Sequence, residues 1–280
     1  MNNYSIFAKL CFADQWGGIT STDTTADPVA PVSATPAPAT PATPATVTVS
    51  SPAPAIAVGD IITFGEYYQF DSKTKDPIDW QVLEVVGSKA LLISHKILDV
   101  KEFNDSTMSP LTRRSHSPWE FSSLRKWLNT KFLKTAFNFK ERKLIQKTKL
   151  RNEGQEGYVF YTVDKIFVLS SIDTDKYLPK DCDRVAVPTD YALERQQAAV
   201  AYAEAETHKV QSTRFDANYW WLRTERRVGY SYASLCSMEC CDGRGYIFTS
   251  CAYRKAPPNC QPYGSFLGVR PAMWIDLDKK

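Results

Sequence analysis

Apolar and polar residues are not spread evenly along the chain. From Val58 onward short apolar runs recur, each closed by turn residues. Ile61-Ile62-Thr63-Phe64 predicts a strand. Trp80–Val86 and Ala90–Ile93, rich in apolar and β-branched residues, predict two more, joined by a hairpin turn at Gly87-Ser88. After a loop over Asn104–Ser117 the spacing changes to that of a helix capped by Ser122. Its Leu124, Trp127 and Leu128 share one face, with Arg125 and Lys126 outside. Phe132-Leu133 adds an apolar patch, and Leu144 and Ile145 mark a further helical pattern. Lys165–Leu169 reads as a strand and Ser171–Tyr177 as a short helix capped by Ser171. Pro188–Gln197 reads as a helix with Pro188 near its first turn, and Ala198–Val210 as its continuation or as an exposed insertion. Helices and strands mixed without a βαβ rhythm predict an α+β fold, not a parallel-sheet nucleotide binder.

The last quarter has a different texture. Asn218–Thr224 and Gly268–Ile275 are dense in aromatic and aliphatic residues and read as framework strands, with Trp220, Trp221 and Trp274 in the core. Arg223 and Arg270 lie within these strands, where an Arg joins an ion-pair network or caps carbonyls. The run between them holds Tyr, Ser, Cys, Gly, Arg and Asp with little periodicity, as expected of loops that a rigid framework displays. Within residues 229–263 the candidate ligand-binding side chains are Tyr230, Tyr232, Arg244, Tyr246, Phe248, Tyr253 and Arg254. Large aromatics separated by Ser, Gly and Asn are the mixture that antibody loops use, since Tyr gives much contact for little side-chain entropy. The alternative is an ordinary polar loop with no ligand.

Residues 22–57 are almost entirely Ala, Pro, Thr, Ser and Val, with repeated Ala-Thr-Pro and Ala-Pro units. Such a stretch cannot bury enough apolar area to offset its chain entropy, so a disordered, semi-rigid Pro/Ala/Thr linker is expected. It separates an N-terminal peptide, residues 1–21, from a domain over 58–280. In that peptide Tyr4, Phe7, Leu10 and Cys11 fall on one helical face, which suits either a docking segment within residues 1–20 or a frayed terminus.

Composition narrows the chemistry. With 34 basic and 31 acidic residues the net charge is only +3, so no strong field points to nucleic acid or to an anionic membrane. No apolar run reaches the length of a membrane span, and the N-terminus lacks the basic start of a signal peptide, so a cytoplasmic protein or part of a larger assembly is expected. Five of seven cysteines, Cys236, Cys240, Cys241, Cys251 and Cys260, crowd into the display segment. Their spacing supplies one plausible metal pair and no second, and His95, His116 and His208 all precede Trp220, so no metal is expected. On the displayed-loop reading, replacing Cys236, Cys240 and Cys241 by Ser leaves folding intact. Gln261-Pro262-Tyr263 resembles the Gln-Pro-Asp calcium signature of sugar-binding lectins but has a phenol in place of its acidic ligand, so calcium is not expected. No cofactor is expected.

Several pieces, taken in order, carry a resemblance. They are Asp60–Tyr67 (Asp-Ile-Ile-Thr-Phe-Gly-Glu-Tyr), Asp79–Glu84 (Asp-Trp-Gln-Val-Leu-Glu), Ala90–Ser94, Leu124–Asn129 (Leu-Arg-Lys-Trp-Leu-Asn), Trp220–Arg223 and Gly268–Ala272. Across Val58–Ile275 the chain resembles the variable proteins of diversity-generating retroelements, whose C-type-lectin-like fold is shared with formylglycine-generating enzymes. The resemblance implies a non-enzymatic, receptor-like protein that binds a macromolecule, protein or glycan, through a diversified C-terminal surface. Met238, Glu239, Lys255 and Gln261 alone in Gly229–Tyr263 fall outside what codons ending in C can encode, as mutagenesis of AAC codons would produce. The alternatives are a copper oxidase of the formylglycine-generating type, built on Cys236 and Cys241, or a structural domain of a larger assembly. Against the oxidase, the Arg-Gly-Gly-Ser segment of that family is missing here.

Overall fold

A computed structural model of the chain describes residues 56–105, 118–154, 157–207, 218–226, 237–251 and 266–278. In chain order, strands β1 (Ile61–Tyr68), β2 (Lys75–Val86), β3 (Lys89–Ser94) and β4 (Asp99–Glu102) come first. Helices α1 (Pro118–Phe121) and α2 (Ser123–Trp127) follow; α2 runs through a π-helical turn, Leu128–Phe132, into α3 (Leu133–Ala136), and α4 (Phe139–Leu144) comes next. Then come β5 (Thr148–Glu153), β6 (Val159–Asp164), α5 (Ser171–Tyr177), α6 (Asp181–Arg184) and α7 (Asp190–Thr207). The chain ends with β7 (Trp220–Glu225), β8 (Ser237–Cys241), β9 (Ile247–Cys251), β10 (Phe266–Val269) and β11 (Ala272–Asp276). The fold is α+β.

Local chemistry explains most of these elements. The β2–β3 hairpin turns at Gly87, whose φ of 59° lies in the left-handed region. β3 is central, between β2 and β11, and Ala90–Ser94 are all buried, which is why its apolar run does not alternate. Ser122 Oγ accepts from Arg125 N and caps α2 as expected. Asn138 and Glu141 form a capping box on α4, and Ser170 and Asp173 form one on α5, one residue earlier than Ser171. Thr189 Oγ1 accepts from Ala192 N at the start of α7, so Pro188 lies just outside the helix, and the helix continues to Thr207.

Among the described residues 11 strands form three sheets: β1-β2-β3-β11, β4-β10-β7-β8-β9 and the two-stranded β5-β6. Two expectations change here. Lys165–Leu169 lies next to a strand rather than in one: β6 pairs with β5, and Phe167 beyond it makes a single bridge to Ala272. Gly268–Ile275 is two strands, not one. β10 lies between β4 and β7 in the five-stranded sheet, while β11 closes the four-stranded sheet beside β3.

The chain therefore crosses between the two larger sheets twice, at Ser94–Leu98 and at Arg270-Pro271, and the crossings are stitched together. Ser94 N donates to Pro271 O (2.9 Å) and Leu98 N to Val269 O (3.0 Å). Arg270, buried at this joint, donates through Nε to Ser94 O (2.9 Å) and stacks over the Trp220 ring, 5.3 Å from its centroid. One continuous apolar core runs through both sheets, from Ile78, Trp80 and Leu92 to Trp119, Trp220, Trp221 and Met273.

Candidate functional site

The site rises from β7. Trp220 and Trp221 are fully buried. The Trp220 indole donates to Arg184 O (3.1 Å) and that of Trp221 to Lys101 O (2.9 Å). Trp221 also meets Phe103 edge to face at 5.3 Å. Trp274 on β11 is half-buried and packs against the same core. Arg223 pairs with Asp173 and donates to Asn152 Oδ1 and Val168 O, so it and Arg270 have the structural roles expected of framework arginines.

β8 corrects the idea that everything after β7 is displayed. Met238, Glu239, Cys240 and Cys241 are all buried. Successive residues of a strand face opposite ways, so Cys240 and Cys241 cannot both point into one metal site. Cys240 Sγ lies 3.6 Å from Phe248 O and Cys241 Sγ 3.5 Å from Gly245 O. Burial pushes the Cys241 thiol up to about 12, although the Arg184 and Arg270 guanidinium groups pull the other way. It is a packed thiol rather than a reactive thiolate.

The turn between β8 and β9 is held by Asp242, a residue sequence reasoning passed over. Its Oδ1 accepts from Arg244 N (2.8 Å) and Tyr246 N (2.9 Å), and its Oδ2 pairs with Arg244 NH2 at 3.2 Å. Asp242 N donates to Tyr246 O and Gly245 N to Asp242 O, both at 2.9 Å. The Asp242-Gly243-Arg244-Gly245 run was the available signal, since Asp and Gly in this order favour hairpin turns. Gly245 has φ 88°, and a Cβ there would stand 1.8 Å from Asp181 O of α6, so the turn lies directly on that helix. Outward from this anchored base stand two predicted site residues. The Arg244 side chain is 67% exposed, Tyr246 is 52% exposed, and the guanidinium lies 5.3 Å from the ring centroid.

The predicted site residues do not all behave alike. Arg244 and Tyr246 are brought together at the turn. Phe248 is half-buried and packs edge to face on Tyr219 at 5.2 Å, so it anchors β9 more than it is displayed. Tyr230, Tyr232, Tyr253 and Arg254 lie outside the described residues, as do Cys236, Cys260, the N-terminal peptide and all but the last two residues of the linker. Among the described residues there is no group of three or more His, Cys, Asp or Glu side chains able to hold a metal ion. No helix among them is long and apolar enough to cross a membrane.

A family model, described as a domain of unknown function (DUF6273), matches residues 87–277, from the β2–β3 turn to the end of β11. The span takes in the whole β7–β11 region that carries Arg244 and Tyr246. No curated protein and no solved structure matches the chain.

Proposed function

We propose for this chain, which belongs to the DUF6273 family of domains of unknown function, a receptor-like role: it binds a macromolecular ligand, protein or glycan, through the surface around the β8–β9 turn. In this reading the domain is C-type-lectin-like and residues 229–263 are the target of retroelement mutagenesis. The observation that carries the reading is the division of labour within one hairpin. Its base is fixed by buried strand residues and by Asp242, while the Arg244 and Tyr246 side chains at its tip are exposed. Tyr and Arg on a rigid support are favoured interface anchors, because little of their entropy is left to lose on binding. The burial of Cys241 weighs against the copper-oxidase alternative, which needs that sulfur as an accessible ligand.

Two measurements test the proposal. The first is a library in which Tyr230, Tyr232, Arg244, Tyr246, Tyr253 and Arg254 vary together over codons ending in C. Most members should keep the wild-type melting temperature, since exposed substitutions usually stay within about 0.5 kcal/mol, and selection against an unrelated protein should yield binders. A library that mostly fails to fold would remove the display reading. The second is the DNA flanking the gene. A reverse transcriptase beside a near-copy of the stretch encoding 229–263, differing at adenines, is expected. If no such copy stands there, the retroelement part of the proposal is lost while the binding part stands on the library.

A further inference from the structure

Away from the β8–β9 turn, the β5–β6 hairpin forms a two-stranded sheet of its own. Asn152 on β5 accepts from Arg223 of β7 (3.1 Å), whereas the edge of β6 has no strand beside it among the described residues. In an antiparallel pair, alternate residues turn both backbone groups toward the partner strand, and the residues between turn theirs away. Val163 O lies 3.5 Å from Arg125 Nη2, and just past the strand Lys165 N donates to Asn129 Oδ1 (2.8 Å). The odd-numbered residues of β6 are therefore the ones that point off the hairpin, toward α2 and the π-helical turn. Arg125 and Asn129 cap the far end of this edge. The N–H and C=O groups of Val159 and Tyr161 have no partner among the described residues. Edge strands are usually protected by a Lys, a Pro or a bulge. β6 has none of these: its pairing with β5 runs without a register shift, and Val159–Val163 holds no charge, Pro or Gly.

Beside this edge runs a groove of about 360 Å³, walled by Val163 on one side and by Phe121, Lys126, Asn129 and Thr130 on the other. Tyr161 is 54% exposed, Val163 57% and Phe121 48%. The register sets Lys149 opposite Val163 and Arg151 opposite Tyr161, and Lys149 Nζ lies 4.4 Å from the Tyr161 ring centroid. Of the two carboxylates lining the groove, Asp164 is held by Arg125, which leaves Glu120. The surroundings are strongly basic. From Arg125 to Arg151 ten residues are Lys or Arg and one, Glu141, is acidic, in a chain of net charge +3. Of those ten, Arg125 and Arg151 alone pair with a carboxylate among the described residues. We propose that the β6 edge binds an extended acidic peptide of a partner protein as an added strand, a second surface independent of the β8–β9 turn. The peptide main chain pairs with Val159 and Tyr161, its apolar side chains lie against Tyr161, Val163 and Phe121, and its carboxylates meet Lys126 and Lys149. A second copy of the chain does not fit as well. Pairing β6 with itself along its whole length sets Val159 against the second copy's Val163, and so drives that copy's α2 into this strand.

The probe is a fluorescein-labelled nonapeptide of alternating Glu and Val, titrated with the full chain at low ionic strength and read by anisotropy. Saturable binding is expected, weakened by salt, and at least about tenfold weaker for the counterpart with Lys in place of Glu. N-methylation of alternate peptide residues blocks one of its two edges. Methylating one set should weaken binding at least about tenfold, and methylating the other should leave it unchanged. In amide hydrogen exchange, Val159 and Tyr161 should exchange faster than Phe160 and Thr162 in the free chain, and should slow when the peptide binds. Lys126→Glu combined with Lys149→Glu, both exposed positions, should reverse the preference between the two peptides and leave the melting temperature unchanged. The proposal is overturned if the Glu peptide does not bind saturably, if neither methylated peptide is weakened, or if binding leaves exchange at Val159 and Tyr161 as it was. Tighter binding of oligothymidylate, which offers an edge strand no backbone N–H, would overturn it in favour of nucleic acid. A dimer that the peptide dissociates would overturn it in favour of a second copy.

Discussion

Cys240 and Cys241 are adjacent in sequence yet belong to opposite faces of β8, and both are sealed from water. Their replacement by Ser, harmless if they were displayed, should instead cost about 1–3 kcal/mol each, because a buried hydroxyl demands hydrogen bonds that a thiol does not. Thermal unfolding of the single Ser and Ala variants checks this, with the Ala variants expected to be the milder. Cys241 also makes stability depend on pH. Its folded value is raised to about 12 from a usual 9.0, so above pH 9 the unfolded chain loses a proton that the folded domain keeps. The contribution is therefore whole below pH 9 and is lost as pH rises from there toward 12, by up to about 1.4 kcal/mol per unit. Denaturant unfolding at pH 8 and pH 10 should show a smaller decline for Cys241→Ala than for the wild type. None of this was legible in the sequence, where a cysteine among tyrosines and glycines looks the same whether a strand buries it or a loop displays it.

At the level of elements, what could be read depended on alternation and on caps. β1, the β2–Gly87–β3 hairpin and the Ser122 cap are local signals, and the chain obeys them. β8 escaped notice because it is only five residues long and its alternation of Ser237 and Glu239 with Met238 and Cys240 breaks off at Cys241, while Glu239 is buried rather than displayed. The β5–β6 hairpin escaped because its outward residues Tyr161 and Val163 are apolar, and the apolar run that drew attention, Ile166–Leu169, lies just past it in the core. The hairpin tip offers an element-scale prediction. Gly245→Ala should cost at least about 2 kcal/mol, since it combines a left-handed φ with a backbone collision against α6. Gly87→Ala is the control: its φ is 59° but nothing stands within 4 Å, so about 1 kcal/mol is expected. If both variants melt alike, the tip is not seated on α6.

For the whole molecule, the residues that decide stability and those proposed to decide binding are different sets. Trp221→Ala should destabilise by about 3–5 kcal/mol, whereas Arg244→Ala and Tyr246→Ala should leave denaturant unfolding nearly unchanged. Residues 56–280 form one compact unit by their contacts. Brief digestion with a protease of broad specificity should therefore cut within residues 22–57 and leave a stable fragment starting near Val58, identified by its mass. The two stitched crossings between the sheets give this arrangement a consequence during protein synthesis. β4 and β7 cannot be joined until β10 is made, and β3 keeps an open edge until translation has passed residue 276. A substitution in the segment before β10 leaves those closing strands intact. An insertion or deletion that shifts the reading frame there destroys both, so the nascent chain keeps unpaired edges and becomes a substrate for degradation. The order of strands along the gene thus works as a reading-frame check on whatever the segment upstream encodes.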